Sequence, residues 1–84
     1  MGQVSGHFIY IIRCIDGSLY TGYTVDVERR VKEHNHSKRG AKYTRGRLPV
    51  ILEYCEAFDR RSDATKREYE IKRMSKEEKE KLVG

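Results

Sequence analysis

The sequence lacks the features that mark secreted or membrane-spanning proteins. Its 84 residues include one proline, two cysteines and no tryptophan, and the longest uninterrupted apolar run is Phe8 to Ile12. A membrane-spanning helix needs about 20 consecutive apolar residues, so this run is far too short. The first residues, Met1 to Gly6, lack the basic start and apolar stretch of a secretory signal. We therefore expect a cytoplasmic protein with no membrane association.

The cysteines and the length limit the architecture further. Cys14 and Cys55 are isolated from one another in otherwise apolar segments, which favours two reduced, half-buried thiols over a disulfide. The chain is about half as long as a typical ~150-residue domain, so we expect one domain over residues 1–84 with a core at about 7–82.

Common catalytic motifs are also absent. The chain contains no glycine-rich phosphate loop, no nucleophile elbow and no zinc-protease helix motif. His34 and His36 are the only close pair of metal-type ligands, and no third ligand follows at a suitable spacing. This spacing disfavours a zinc site.

Positive charge is abundant and concentrated in one segment. The chain has 18 Lys and Arg against 13 Asp and Glu, a net charge of +5. Residues 28–47 alone hold eight basic residues against two glutamates, a net charge of +6. Such a concentration is typical of proteins that bind a polyanion, although a solvated surface would have the same composition.

The residue pattern predicts an α+β fold, with a small antiparallel three-stranded β-sheet flanked by helices in the order ββαβαα. β-Branched and aromatic residues predict strands over 8–15, 18–24 and 50–58. A loop of about a dozen residues without structure of its own precedes Pro49. The predicted helices are 26–36 after a cap at Thr24 or Asp26, 63–74 after a cap at Ser62 or Asp63, and a short helix opened by the capping box Ser75–Glu78.

The turn between the first two strands leaves two arrangements open. A two-residue loop at Asp16-Gly17 places Tyr10 and Tyr20 on opposite faces of the hairpin. A three-residue loop that begins at Ile15, with the glycine in a left-handed bulge, places both tyrosines on one face. Local turn rules slightly favour the first arrangement, whereas a site shared by the two phenols requires the second.

Two charged residues lie beside apolar helix positions. Glu68 shares a helical stripe with Ala64 and Ile71, so its carboxylate needs an arginine, a metal ion or several donors as partners unless it reaches solvent at the edge of the stripe. Arg30 lies beside the apolar seam that includes Val31. Its guanidinium can pair with Glu68, face a phosphate, or cover apolar surface with its stem.

The segment before Pro49 interleaves basic, aromatic and small residues. This mixture suits phosphate contacts and stacking on a nucleobase. The candidate nucleic-acid-binding residues are Lys38, Arg39, Lys42, Tyr43, Arg45 and Arg47.

Taken together, these residues resemble the GIY-YIG nuclease family, in particular its small stand-alone bacterial members. The resemblance covers about residues 7–82 and depends on the order and spacing of four segments. These are Phe8-Ile9-Tyr10, Tyr20-Thr21-Gly22, the helix in which Arg30 is followed four positions later by His34, and the helix 64–72 that contains Glu68.

The resemblance implies phosphodiester hydrolysis with one divalent cation, Mg²⁺ or Mn²⁺, and a nucleic-acid substrate, with DNA favoured over RNA. The implied roles are metal binding by Glu68, general-base catalysis or water positioning by Tyr20, orientation by Tyr10, transition-state stabilisation by Arg30, support by His34 and a structural role for Gly22. The basic loop, residues 38–47, would follow the nucleic-acid backbone, so the affinity for nucleic acid would fall as the salt concentration rises.

The sequence departs from the family pattern in one respect that bears on function. Many members supply an asparagine near the metal-binding glutamate, but no asparagine follows Asn35 here. The chain also has no room for a separate DNA-binding domain, so we expect weak sequence specificity unless a protein partner supplies it. The alternative to a nuclease is a non-catalytic nucleic-acid-binding module that retains the same fold.

Overall fold

A computed structural model describes residues 6–36 and 39–84, and its fold is α+β, as predicted. Three antiparallel strands form one sheet in the order β2-β1-β3, and three helices pack against it. A short 3-10 helix, Lys42–Thr44, interrupts the segment that was expected to have no structure, so that expectation is wrong. The elements are β1 (His7–Arg13), β2 (Leu19–Thr24), α1 (Val27–His36), β3 (Ile51–Phe58), α2 (Arg61–Lys72) and α3 (Lys76–Val83).

None of the helices in the described part of the chain is long and apolar enough to cross a membrane.

The turn between β1 and β2 is the three-residue loop. The N–H of Cys14 donates to the carbonyl of Ser18 at 2.8 Å, and the N–H of Gly17 donates to the carbonyl of Cys14 at 2.9 Å. Gly17 has a φ of 87°, which side chains rarely tolerate and glycine adopts readily. The two-residue turn that local rules favoured is therefore wrong, and Tyr10 and Tyr20 share one face of the sheet.

The first helix begins where the sequence predicts, but the second begins earlier. The Oδ1 of Asp26 accepts the N–H of Arg29 at 3.1 Å and so caps α1. α2 begins at Arg61 after Arg60, which makes no side-chain capping bond. The cap expected at Ser62 or Asp63 is wrong because both residues lie inside the first turn of the helix. The negative charge of Asp63 still stabilises α2 there, because it lies at the positive end of the helix dipole.

The third helix opens with the capping box predicted for it. The Oγ of Ser75 accepts the N–H of Glu78 at 3.1 Å, and the glutamate carboxylate accepts the N–H of Ser75 at 2.8 Å. α3 is also held to the sheet by an ion pair between Glu80 and Arg13, whose closest atoms are 2.7 Å apart.

α2 covers one face of the sheet, which we call the α2 face. Ile9 and Ile11 of β1 pack there with Ala64 and Ile71 of α2, and all four residues are fully buried. Alternation along β1 sends the intervening residues to the opposite side. The α2 face is therefore a core of closely packed aliphatic side chains.

α1 covers the opposite side, which we call the α1 face. Tyr10, Ile12, Cys14 and Val50 form its buried cluster. The side-chain amide of Asn35 donates to the carbonyl of Val50 at 3.0 Å and accepts its N–H at 2.8 Å, so the end of α1 is tied to the start of β3.

Both cysteines are free thiols, but they are not alike. Cys14 is buried and Cys55 is exposed. The expectation that both are half-buried is therefore wrong, because Cys14, directly after β1, belongs to the buried cluster of the α1 face, whereas Cys55 lies on the edge strand β3.

Candidate functional site

Three aromatic rings from β1, β2 and α1 converge on the α1 face. The ring centroids of Tyr10 and Tyr20 are 6.5 Å apart, and the imidazole of His34 lies 5.8 Å from the first and 5.5 Å from the second. The Tyr10 hydroxyl and the Nε2 of His34 are hydrogen-bonded at 2.9 Å. The two tyrosines can meet His34 here because the three-residue turn places both of them on one face of the sheet.

Gly22 provides the space that the Tyr10 ring occupies. The two residues are directly paired across β1 and β2. A Cβ atom at Gly22 would lie 2.6 Å from the Cζ of Tyr10 and closer still to its hydroxyl oxygen. Any side chain at this position would therefore displace the phenol from the site.

His34 and Tyr10 are almost fully buried, and burial shifts both titrations away from neutral pH. Burial, with a smaller effect from the positive charge of Arg30, lowers the pKa of His34 to about 4. Burial raises the pKa of Tyr10 to about 12, although the nearby Arg30 guanidinium opposes that shift. At pH 7 the imidazole is therefore neutral and the phenol keeps its proton.

Arg30 lies at the rim of this cluster, where its side chain is 25% exposed. One of its terminal nitrogens donates to the carboxylate of Glu33 at 3.0 Å and to the backbone carbonyl of Arg39 at 2.8 Å. These two acceptors hold the guanidinium in place. Its positive charge acts to lower the pKa of both Tyr10 and His34. The Glu33 partner was not identified from the sequence.

Glu68 extends from α2, and its side chain is 20% exposed. Its carboxylate pairs with Lys72 Nζ at 2.9 Å, whereas the sequence suggested Arg30 as one of its partners. Its negative charge also adds a small upward contribution, after burial, to the pKa of Tyr10. The charge of Glu68 thus has a small effect on the pKa of Tyr10, although Glu68 belongs to the helix that covers the other face.

The donor set suits a hard divalent cation held by few protein ligands. The described residues contain no group of three or more His, Cys, Asp or Glu side chains placed to hold a metal ion. Mg²⁺ keeps several water ligands and is commonly held by one or two carboxylates together with substrate phosphates. A single partly exposed carboxylate at Glu68 fits that chemistry, and it does not fit an all-protein zinc cage.

The basic loop forms a wall of the site. Tyr43 stacks on Tyr20, with ring centroids 5.8 Å apart, and the guanidinium of Arg47 lies 4.2 Å from its ring centroid. Arg47 also donates to the Asp16 carboxylate at 2.9 Å and to the Tyr43 carbonyl at 2.7 Å. Tyr43 thus contacts both Tyr20 and Arg47, and 41% of it remains exposed at the site.

The other basic residues of this loop present charge to the outside. Arg39, Lys42 and Arg45 are exposed, whereas Lys38 lies outside the described residues.

Sequence reasoning missed Thr44. This residue is completely buried, and its hydroxyl oxygen lies 3.0 Å from the Nδ1 of His34. No local signal identifies it, because the contact forms only when the 3-10 helix folds back onto α1. Gly40 permits this approach, since a Cβ there would lie 2.9 Å from the Cα of His34.

Comparison with known proteins shows the family of the chain. The model of a family described as the GIY-YIG catalytic domain matches residues 6–81. A UPF0213 protein of Halobacterium salinarum is 58% identical over 76 residues, which cover 90% of this chain and 97% of that protein. A UPF0213 protein of Staphylococcus saprophyticus is 57% identical and covers 93% of this chain and 94% of its own length.

Two solved structures share the fold. A solution NMR structure of a protein from E. faecalis has a TM-score of 0.65 and 44% identity, and covers 99% of this chain and 88% of its own. That of a UPF0213 protein from Bacillus halodurans has a TM-score of 0.61 and 52% identity, and covers 93% of this chain and 82% of its own. The relatives' names state no activity, but the family model covers most of the chain: the chain belongs to the GIY-YIG family, whose catalytic domain is that of a nuclease.

Proposed function

We propose that this protein hydrolyses phosphodiester bonds in nucleic acid, with DNA as the first candidate, and that it uses one divalent cation, Mg²⁺ or Mn²⁺. The observation that carries the proposal is the cluster of Tyr10, Tyr20 and His34, with Arg30 at its rim. Phenol, guanidinium and carboxylate groups together supply the proton transfer, charge stabilisation and cation binding that the reaction needs.

The two phenols have different roles in this proposal. Tyr10 holds its proton because burial raises its pKa to about 12, so it is a poor general base and instead orients its neighbours. Tyr20 is partly exposed, stacks on Tyr43 and meets His34 edge-to-face, so its hydroxyl is the one that can reach an attacking water. We assign the general-base or water-positioning role to Tyr20.

The charged groups act on the phosphate. Arg30 is held by Glu33 and by the Arg39 carbonyl, and its planar guanidinium can stabilise the extra negative charge of the transition state. Glu68 would hold the divalent ion, which when bound neutralises charge on the scissile phosphate and the leaving oxygen. The exposed cations of the basic loop would contact the flanking backbone.

A cleavage assay tests this proposal. Duplex, single-stranded, flap and RNA substrates are incubated at low salt with Mg²⁺ or Mn²⁺, and with a chelator as control. We expect metal-dependent cleavage of at least one substrate, a loss of at least a hundredfold in Glu68→Gln, and little change in Glu70→Gln, a matched substitution on the same helix.

Binding measurements separate catalysis from mere recognition. The Glu68→Gln variant should still bind the cleaved substrate, with an affinity that falls as salt rises. Binding without cleavage under every metal condition would contradict the proposal and favour a non-catalytic nucleic-acid-binding module. Failure to bind any labelled oligonucleotide at low salt would contradict both functions.

A further inference from the structure

The buried hydroxyl of Thr44 lies behind the site, away from the nucleic acid that we propose as substrate. Thr44 is 0% exposed and His34 is 1% exposed, so water does not reach the contact between them. Buried polar groups need partners, and here each one has them. The arrangement of those partners determines which nitrogen of the imidazole carries the proton.

The single hydrogen of the Thr44 hydroxyl has a well-placed acceptor. The Oγ1 lies 2.9 Å from the carbonyl oxygen of Ala41, which also accepts the N–H of Thr44 at 3.1 Å and so closes the 3-10 turn. With its hydrogen donated to Ala41, the hydroxyl oxygen faces the Nδ1 of His34 at 3.0 Å as an acceptor. A neutral imidazole must then carry its hydrogen on Nδ1.

One contact favours the opposite assignment. The N–H of Ala41 points to the same Nδ1 at 3.4 Å, which would require a bare nitrogen. This distance is beyond the usual 2.7–3.2 Å range for a hydrogen bond donated by an N–H to oxygen, so the contact is weaker than the 3.0 Å contact with the hydroxyl.

We propose that Thr44 is a positioning residue that fixes His34 in the Nδ1-protonated tautomer, so that Nε2 accepts the hydrogen of Tyr10. The order of donors is then Tyr10 to His34, His34 to Thr44, and Thr44 to the carbonyl of Ala41. The phenol oxygen of Tyr10 is then left as an acceptor, for the neighbouring Arg30 guanidinium and for a hydroxyl or water in the site. The catalytic consequence rests on the proposed function, whereas the tautomer does not.

The tautomer can be measured directly. Long-range ¹H–¹⁵N correlation spectra of ¹⁵N-labelled protein at neutral pH distinguish protonated from bare ring nitrogens, which have widely separated ¹⁵N shifts. For the unmodified protein we expect a protonated-type shift for the Nδ1 of His34 and a bare-type shift for Nε2. The reverse pattern would overturn the proposal without any need for a variant.

Substitutions test whether Thr44 is the cause. Thr44→Val keeps the shape and removes the acceptor, so we expect the His34 shifts to move toward the other tautomer. Thr44→Ser restores the hydroxyl and should restore the shifts. Thr65→Val is the matched control, since that hydroxyl donates to a backbone carbonyl of α2 at 3.0 Å, remote from His34. A tautomer unchanged by Thr44→Val would overturn the proposal.

Kinetics supply the second readout. We expect Thr44→Val to lower kcat about tenfold, as for loss of one buried hydrogen bond, with KM changed less than about twofold, and Thr44→Ser to recover most of that loss. If Thr44→Val proves unfolded, the unmodified protein and Thr44→Ser still decide the question. The predicted tautomer without cleavage activity would contradict the proposed function and still support this role of Thr44.

Discussion

The two faces of the sheet are built from alternate residues of the same strands, but they bury different chemistry. On the α2 face, Ile9 and Ile11 pack against an aliphatic helix surface. On the α1 face, the neighbouring Tyr10 packs against His34 and forms a buried hydrogen bond with it. The first face gains stability from dispersion and from the exclusion of water. The second places polar groups where their protonation and orientation are controlled, which is what a catalytic surface requires.

Of the groups on the α1 face, the hydroxyl of Tyr20 should cause the largest loss of cleavage activity when it is removed. Tyr20→Phe keeps the ring stacked on Tyr43 but removes the group that we assign to water activation, so we expect cleavage to fall by roughly 10²–10⁴-fold. Urea unfolding should change little because the ring contacts remain. Tyr69→Phe, at an exposed tyrosine on α2, should leave the rate unchanged. Equal rates for Tyr20→Phe and the unmodified protein would exclude Tyr20 as the base.

The α2 face should respond in stability and not in chemistry. Ile11→Ala removes buried methyl and methylene groups and leaves a cavity, so the free energy of unfolding should fall by about 2–5 kcal/mol. Ile15→Ala, at a residue that is 66% exposed, should cost less than about 0.5 kcal/mol. Urea titrations measure both values. A loss below about 1 kcal/mol for Ile11→Ala would mean that the α2 face is not the stabilising core.

The α1 face should make the protein sensitive to acid through His34. Its pKa is about 4 when folded, against about 6.5 for an unfolded chain. As the pH falls, the imidazole of His34 is protonated first in the unfolded state. Its contribution to the free energy of unfolding is therefore fully present above about pH 6.5 and declines between about pH 6.5 and 4. The decline from this one group is at most about 3 kcal/mol.

Urea unfolding at a series of pH values measures this effect, with His34→Gln as the comparison. The variant should lose less stability across the window than the unmodified protein. Carboxylates contribute equally to both proteins, so parallel curves would show that His34 is not responsible.

A buried threonine on each face tests how hydrogen bonding of its hydroxyl affects stability. Thr21 is 3% exposed on the α2 face and its hydroxyl oxygen has no hydrogen-bond partner in the described chain. Thr21→Val should therefore stabilise the protein by about 1 kcal/mol, because it removes an unsatisfied buried group. Thr44→Val should destabilise it by a similar amount, since that hydroxyl is fully bonded. Thermal unfolding of the two variants is expected to move in opposite directions, and shifts of the same sign would count against the distinction.

The smallest effect concerns the ion pair at Glu68. Lys72→Met keeps the side-chain stem but removes the cation that lies 2.9 Å from the carboxylate. Because partly exposed ion pairs contribute about 0.2–1 kcal/mol, we expect half-maximal cleavage at roughly two- to fivefold lower Mg²⁺. Lys66→Met, also exposed on α2, is the control. A higher metal requirement in Lys72→Met would indicate that Lys72 assists the reaction instead of competing with the cation.

Several features were predictable from the sequence because they depend on neighbours along the chain. The three strands, the cap at Asp26, which was one of two predicted residues, and the capping box at Ser75 follow from local patterns, and the structure confirms them. The inward position of His34 agrees with its helical spacing from Val27 and Val31, which pack against the cluster of the α1 face.

Tertiary structure decided what local rules left open or decided wrongly. The turn at Gly17 places both tyrosines on one face, although the local preference was for the other turn, because pairing all along β1 and β2 outweighs the preference of one loop. The partners of Glu68 and Arg30 depend on which side chains come within reach after packing. Composition and local pattern thus determined the elements, whereas packing decided which tyrosines share a face. The contact of Thr44 with His34 needed the folded chain, since a hydrogen bond between residues in different elements forms only when packing holds both partners in place.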